Sequence, residues 1–492
     1  MKICIYRVYI FIAMLKIMLS VRLKKTSLLL SCILFISVTT MQFCHHSKKD
    51  DPVAGYTDTG EELSGGATTM FDASSNAFSF AAPNLTQTQR NAFASGHSFF
   101  NTNWVTAPSS TTLVDGVGPF FNSRSCSGCH SLDGRGMPPT YPGEELDGLL
   151  FRLSIPGADA HGGPLGDPEY GNQLSNNAIL GVTREGTVRI DYITTIGFYA
   201  DGNNYELRTP VYTFEDPGYG DLSTVMYSPR LAQQLPGLGL LEAITEADLI
   251  KLADPYDANG DSISGRPNYV WNFQTNATQI GRFGWKANQP TLFQQTAGAA
   301  LGDMGLTTSL FPNENLTGQQ IALYSNLPNG GTPEMSDNIL NQMVLYCQTL
   351  AVPARRNWTD PQVLRGKELF TQAKCASCHV PYFETGTHDV AALSNQQIRP
   401  YTDLLLHDMG AGLADNRPDY LATGSEWRTP PLWGIGLIQV VNKQRFLMHD
   451  GRARTLEEAI IWHGGEGNFS KKAFINMNKT DRDALIAFLE SL

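Results

Sequence analysis

Two five-residue runs in this 492-residue sequence hold residue types that point to chemistry: Cys126-Ser127-Gly128-Cys129-His130 and Cys375-Ala376-Ser377-Cys378-His379. Two cysteines three positions apart place their sulfurs on one side of a helical turn. Such a pair can grip a zinc ion, cycle between dithiol and disulfide, or form thioethers with the two vinyl groups of a haem whose iron the next histidine ligates. A Cys₄ zinc site leaves the two histidines unexplained. A thioredoxin-like dithiol calls for a neighbouring βαβ pattern, which the sequence lacks. The small residues between the cysteines let backbone lie close to a macrocycle. The pattern therefore points to two covalently bound c-type haems, attached at Cys126, Cys129, Cys375 and Cys378, with His130 and His379 as proximal iron ligands.

The opposite face of each iron decides between electron transfer and reaction with a small molecule. The histidines left for that face are His97, His161, His388, His407, His449 and His463. His463 stands out by pattern. In RTLEEAIIWHGGEG, Thr455 and Glu458 form a capping box, and Leu456, Ala459, Ile460 and His463 fall at helical spacing before Gly464-Gly465. A lone histidine ending an apolar stripe is also a common core residue, so the pattern alone leaves both roles open.

The elements that must hold these residues are mostly helical. NAFASGHSFF before the first cysteine pair and VLRGKELF before the second both contain Gly-x-x-x-Phe, built on Gly96 and Gly366. That glycine lies 30 residues ahead of the first cysteine in one copy and 9 in the other, which predicts a duplicated helix and a loop inserted in the first copy. Asp360-Pro361 caps the second of these helices, and Thr480 with Asp483 opens a terminal helix. The alternation in TVRIDYITTIGFYADGNNYELRTPVYTF around Asp201-Gly202-Asn203 predicts a β-hairpin, placed in an insertion over about 146–220. The expected class is mainly α, with two cytochrome c-like haem domains, 70–352 carrying the β insertion and 353–492. Cys347, on the apolar stripe of the helix that ends before Pro353, reads as a core thiol.

With 42% hydrophobic and 17% charged residues the chain is globular, not disordered. Its first 43 residues carry six basic groups, no acid and a long apolar run, the pattern of an export leader. Met14 or Met18 is an alternative start. Cys44 follows at the polar switch, so the expectation is a periplasm-facing lipoprotein anchored there, with 44–69 as a flexible tether. Membrane contact is then through the lipid or leader alone. Phe43 departs from the small residue usual at that point, and an uncleaved anchor is the alternative. Removing the six leader bases takes the net charge from −11 to −17. That disfavours nucleic acid and suits a small basic redox protein as electron donor.

The runs GVGPFFNSRSCSGCHSLDGRG, YGNQLSNNAI, SPRLAQQLPGLGLLEAI, DANGDSISGRPN, RFGWKA, YTDLLLHDMGAGLAD, EWRTPPLWGIG and MHDGRARTLEEAIIWHGGE, in this order over 70–492, resemble the di-haem oxidoreductase family also labelled "thiol oxidoreductase". That family sits with the bacterial di-haem cytochrome c peroxidases and MauG-like enzymes. The resemblance implies a six-coordinate relay haem in the second domain and an open, peroxide-reactive haem in the first. The relatives' distal ligand lies 14 residues after the histidine of a His-x-Gly run. From His449 that count reaches His463, which makes the second haem bis-histidine. A glutamate acid/base is implied for the first site, and GLLEAITEADLI offers Glu242, the favoured one, and Glu246. His161 or His97 is an alternative closure, Gln173 and Arg152 are further polar candidates, and Trp285 and Trp433 are candidates to lie between the haems. Calcium is implied between the domains. Asp257, Asn259 and Asp261 resemble the start of a calcium loop, but Gly260 is in the fourth position and Asn268 replaces the closing glutamate, so an Asx-rich turn is an equal reading. His407-Asp408-Met409 is expected to support the second haem pocket.

Three functions use these parts: an exported peroxidase-like oxidoreductase that passes electrons through the second haem to hydrogen peroxide at the first, an electron-transfer cytochrome with both irons six-coordinate, and a MauG-like enzyme that oxidatively modifies a partner protein. A dithiol mechanism is not among them, because haem attachment leaves only Cys347 in the domains.

Overall fold

Capped helices in two crossing pairs carry both cysteine motifs. In chain order the helices that position the sites are α1 (Gln87–Asn101), α2 (Cys126–Cys129), α3 (Leu238–Glu242), α4 (Leu292–Met304), α5 (Asp337–Thr349), α6 (Pro361–Gln372), α7 (Leu456–Trp462) and α8 (Lys479–Ser491). The computed structural model describes residues 59–146 and 148–492; the leader, Cys44 and the first part of the expected tether lie outside the described residues. None of the helices among the described residues is long and apolar enough to cross a membrane.

The duplicated Gly-x-x-x-Phe has one structural meaning in both copies. Gly96 of α1 lies against α5, where a Cβ would overlap the Gln342 carbonyl oxygen and the Tyr346 Cβ. Gly366 of α6 lies against α8, where a Cβ would overlap the Ala484 carbonyl oxygen and the Phe488 Cβ. Only a residue without a side chain lets the backbones approach this closely. Aromatic rings then close around each crossing: Phe93 and Phe100 lie 4.8 and 5.2 Å from Tyr346, and Phe370 lies 5.1 Å from Phe488. Thr86 with Gln89 caps α1 as a full capping box, and the Asp360 side chain accepts from the Gln362 and Val363 N–H groups to cap α6. The cap of the terminal helix lies two residues before the expected Thr480: the Asn478 side chain accepts from the Asp481 N–H.

Between the two helix pairs the chain is largely strand. β1 (Leu149–Ser154) is the centre of a three-stranded antiparallel sheet, flanked by β2 (Gln173–Leu174) on one side. The long hairpin of β3 (Thr187–Phe198) and β4 (Asn204–Glu215) pairs in unbroken register from Thr187 opposite Glu215 to Phe198 opposite Asn204. β5 (Met226–Leu231) completes the other edge of the first sheet. The hairpin reaches the helices of the second motif: the Ala200 N–H donates to the Ile475 carbonyl, Asp201 pairs with Arg482 at 2.7 Å, and the Tyr212 hydroxyl donates to Asp450 at 3.0 Å.

The expectation of a mainly α class is corrected. The fold has 30% helix, 18% strand and several small sheets, which makes it mixed. The two large cores also exchange residues. Ala77 and Phe78, from the N-terminal part, pack with α6 and α8, whereas Trp433 packs in the core built on α4 and α5. Order begins ahead of Met70: Glu61 is buried in ion pairs with Arg355 and Lys367, and Thr69–Met70 pair in parallel with Val352–Pro353.

Gly96→Ala and Gly366→Ala are each expected to destabilise the protein by about 1–3 kcal/mol through overpacking of a helix crossing. Chemical denaturation should show lower midpoints with unchanged slopes. Gly298→Ala is the control, since a Cβ there meets no atom closer than 3.9 Å and alanine favours the interior of α4. Equal behaviour of the three variants would reject the crossing argument.

Candidate functional site

Each motif opens onto its own cavity. Cys126 and Cys129 form the ends of the single-turn α2, and His130 closes it by donating its backbone N–H to the Cys126 carbonyl. These three residues line a first cavity of about 230 Å³. Cys375, Cys378 and His379 follow Lys374, whose left-handed φ of 60° turns the chain out of α6, and they line a second cavity of about 180 Å³. The four cysteines line two separate cavities, so they do not converge on one Cys₄ metal site. Burial pushes the Cys126 and Cys375 thiols up to about 12, so neither is a thiolate nucleophile at neutral pH.

The histidine rings are held by one repeated device. A carbonyl oxygen can only accept, so a ring nitrogen bonded to it must carry the proton. His130 donates from Nδ1 to the Gln233 carbonyl at 2.7 Å, His379 to the Tyr401 carbonyl at 2.9 Å, and His463 to the Ala459 carbonyl at 2.7 Å. Nε2 is thereby left as the lone-pair nitrogen in each ring, the form that ligates a metal. Burial lowers all three pKa values, that of His379 to about 4, which keeps the imidazoles neutral. His463 caps the end of α7 and lines the second cavity with His379, close enough to help depress its pKa.

His449 lines the second cavity as well. Its ring is stacked on Trp427 at 3.9 Å, its Nδ1 donates to the Pro229 carbonyl at 3.0 Å, and its buried Nε2 has no hydrogen-bond partner. His407 is different in kind. Both of its nitrogens face carboxylates, Nε2 to Asp403 at 2.8 Å and Nδ1 to Glu466 at 2.6 Å. Burial opposes its charging, but the two carboxylates outweigh burial and hold its pKa well above the ordinary value. His407, Asp403 and Cys378 cluster tightly enough for a metal ion, but an imidazolium has no lone pair to give.

The other expected residues divide between the cavity wall and other positions. Neither Glu242 nor Glu246 lines the first cavity. Glu242 accepts from the Leu292 N–H, the Gln348 side chain and His388, and so ties α3 to α4 and α5. The carboxylate on the first cavity's wall is Asp303, at the end of α4, whose Oδ1 accepts from the Gln173 amide at 2.8 Å. Sequence reasoning passed over Asp303; the proximity of Gln173 is a tertiary fact. Arg152, beside Gln173 across the sheet, lines the same wall. His97 and His161 do not line it: His97 packs against Tyr346, and His161 stacks on Trp271 at 4.4 Å. Trp285 lines both cavities, whereas Trp433 lines neither and fills the core.

Asp257, Asn259 and Asp261 lie in a half-exposed turn region in which each side chain accepts a nearby backbone N–H, Asn259 and Asp261 in Asx turns two residues on. Asn268, which stands where a calcium loop would carry its closing glutamate, is buried and donates to the Lys286 and Asp419 carbonyls.

The donor set fits a c-type haem in each cavity: two thiols for vinyl groups, a tied imidazole for iron, and in the second cavity an orphaned buried Nε2 on His449 whose lone pair lacks a donor. Residues 56–492 match the family model described as "Di-haem oxidoreductase, putative peroxidase". No curated protein matches the chain, and no solved structure does.

His463→Met should convert one haem's visible spectrum to a histidine/methionine type and raise its reduction potential, since methionine ligation raises it. An unchanged spectrum in a folded, haem-loaded variant would remove His463 from the iron.

Proposed function

Because this chain belongs to the di-haem oxidoreductase family, we propose that it is an exported peroxidase-like enzyme that draws electrons from a small basic redox protein through the second cavity and uses them on hydrogen peroxide in the first. One observation carries this reading: the two cavities differ in their histidines. The second holds His379 and His463, both with Nδ1 committed to carbonyls, whereas His130 is the one histidine on the first cavity's wall among the described residues. Met304 and Met343 also reach the first wall, but both are packed in the hydrophobic core.

A haem in each cavity supplies an iron that exchanges one electron at a time. Reducing hydrogen peroxide to two waters takes two electrons and two protons, and the O–O bond breaks more easily when a proton moves from the near oxygen to the far one. Asp303, held at Oδ1 by Gln173, takes that proton from the near oxygen and delivers it to the far oxygen. Arg152 on the same wall favours the anion formed in between. Trp285, held by its Nε1–H to the Leu231 carbonyl at 2.7 Å, occupies the wall common to both cavities and shortens the electron path. The net negative charge steers a basic donor to the surface.

Asp303→Asn should lower the second-order rate constant with peroxide by about 10²- to 10⁴-fold, the range for loss of a positioned acid/base. Glu242→Gln should lower stability and leave that rate constant near the wild-type value. The reverse pattern would return the acid/base role to Glu242. Low-temperature EPR of the ferric protein should show one high-spin haem that binds cyanide. Two inert low-spin haems would instead make the protein an electron-transfer cytochrome.

A further inference from the structure

The cavities share a wall, and two arginines stand in it. Arg135, five residues after His130, and Arg428, from the strand paired with Leu406–Asp408, line both cavities and are only 6% and 3% exposed. Several other buried arginines meet carboxylates: Arg230 and Arg417 meet Asp419 at 3.5 and 3.3 Å, and Arg452 meets Asp450 at 2.7 Å, whereas Arg208 and Arg282, each lining at most one of the two cavities, donate to backbone carbonyls. Arg135 and Arg428 form no ion pair among the described residues. The Arg135 Nη1 donates to the Phe446 carbonyl at 3.1 Å, while its buried Nε has no partner. Arg428 donates to neutral acceptors alone: the Gly284 and Thr429 carbonyls and, at 2.8 Å, the Gln233 side chain. Burial pushes both guanidinium pKa values down to about 10, with mutual repulsion adding to the effect on Arg135, so both remain charged at neutral pH.

Asp403 offsets the charge of Arg428 in part, but its carboxylate is already bonded to His407; two like charges removed from water without an ion pair of their own are costly to bury. A fold that keeps them implies an anion that arrives with the ligand. Each c-type haem carries two propionate carboxylates, and a planar guanidinium matches a carboxylate in two-point geometry. A substrate-derived anion in the first cavity does not explain why both arginines also line the second.

We propose that Arg135 and Arg428 form one carboxylate clamp shared by the two haems, with propionates from both cavities converging on it. The proposal rests on the di-haem reading above. Neutralised propionates favour the reduced iron, so the clamp holds both reduction potentials up together. Arg428 also touches the first iron's support directly, because Gln233, which accepts from its side chain, supplies the carbonyl that orients His130.

The test is an optical redox titration of the haem-loaded protein, in which a pyridine haemochrome assay first counts haems per chain. Fewer than two haems would defeat the di-haem reading itself. With two present, Arg135→Gln and Arg428→Gln should each lower the one-electron reduction constant of both haems by about tenfold, which is about 59 mV. Arg135→Lys and Arg428→Lys keep the charge and should hold both potentials near wild type, while shifting the propionate bending bands of both haems in resonance Raman spectra. A glutamine variant that moves one haem or neither overturns the shared clamp. Should the glutamine variants not accumulate, unchanged propionate bands in the lysine variants overturn it. Potentials that follow added phosphate at constant ionic strength would assign the wall to a free anion and also overturn it.

Discussion

An imidazole offers a metal its Nε2 lone pair only while something else holds the proton on Nδ1, and the two sites depend on that constraint. In each case the holder is a backbone carbonyl: Gln233 for His130, Tyr401 for His379 and Ala459 for His463. A carbonyl is a neutral acceptor, so it orients the ring without the added basicity a carboxylate would bring. His407 shows the contrast. Set between Asp403 and Glu466, it is held charged and is lost as a ligand although it lines the same cavity as His379.

The scaffold beneath these carbonyls is built twice from the same parts. A glycine on one helix lets it cross a second helix at backbone contact, and aromatic rings seal the crossing on either side. The two copies diverge beyond the first helix of each pair. After α6 the chain turns at Lys374 straight into the second motif, whereas between α1 and α2 a loop intervenes, and after α2 comes the sheet and the long hairpin. That hairpin lies against α7 and the chain around Asp450, so an element inserted beside the first site braces the second. The shared wall of Arg135, Trp285 and Arg428 makes the cavities neighbours electrically as well as in space.

Much of this was legible in the residue order. The paired Gly-x-x-x-Phe segments became the two crossing helices, and the alternation around Asp201-Gly202-Asn203 became the hairpin. Local signals were less secure where caps compete: Asn478 displaced Thr480 because its side chain reaches the Asp481 N–H. The class was misjudged because the short strands outside the hairpin, such as Gln173–Leu174 and Leu406–Asp408, are too brief to show a period of two.

By itself the sequence pointed to two haems, which membership of a di-haem family supports, since two Cys-x-x-Cys-His runs offer thiols and an imidazole within five residues each, and it singled out His463 through the stripe of α7. Tertiary structure decided the rest of both sites. Glu242 was the favoured acid because the family resemblance implies a glutamate and GLLEAITEADLI supplies one, but only the packing of α3 on α4 and α5 shows its carboxylate spent on three local partners. Asp303 and Gln173 are 130 residues apart, and Arg135 and Arg428, which line the same two cavities, are far apart in sequence. The placing of a histidine beside two cysteines is a short-range property that spacing records, whereas a carboxylate's neighbours and a cation's lack of an ion pair exist only once distant segments are folded together.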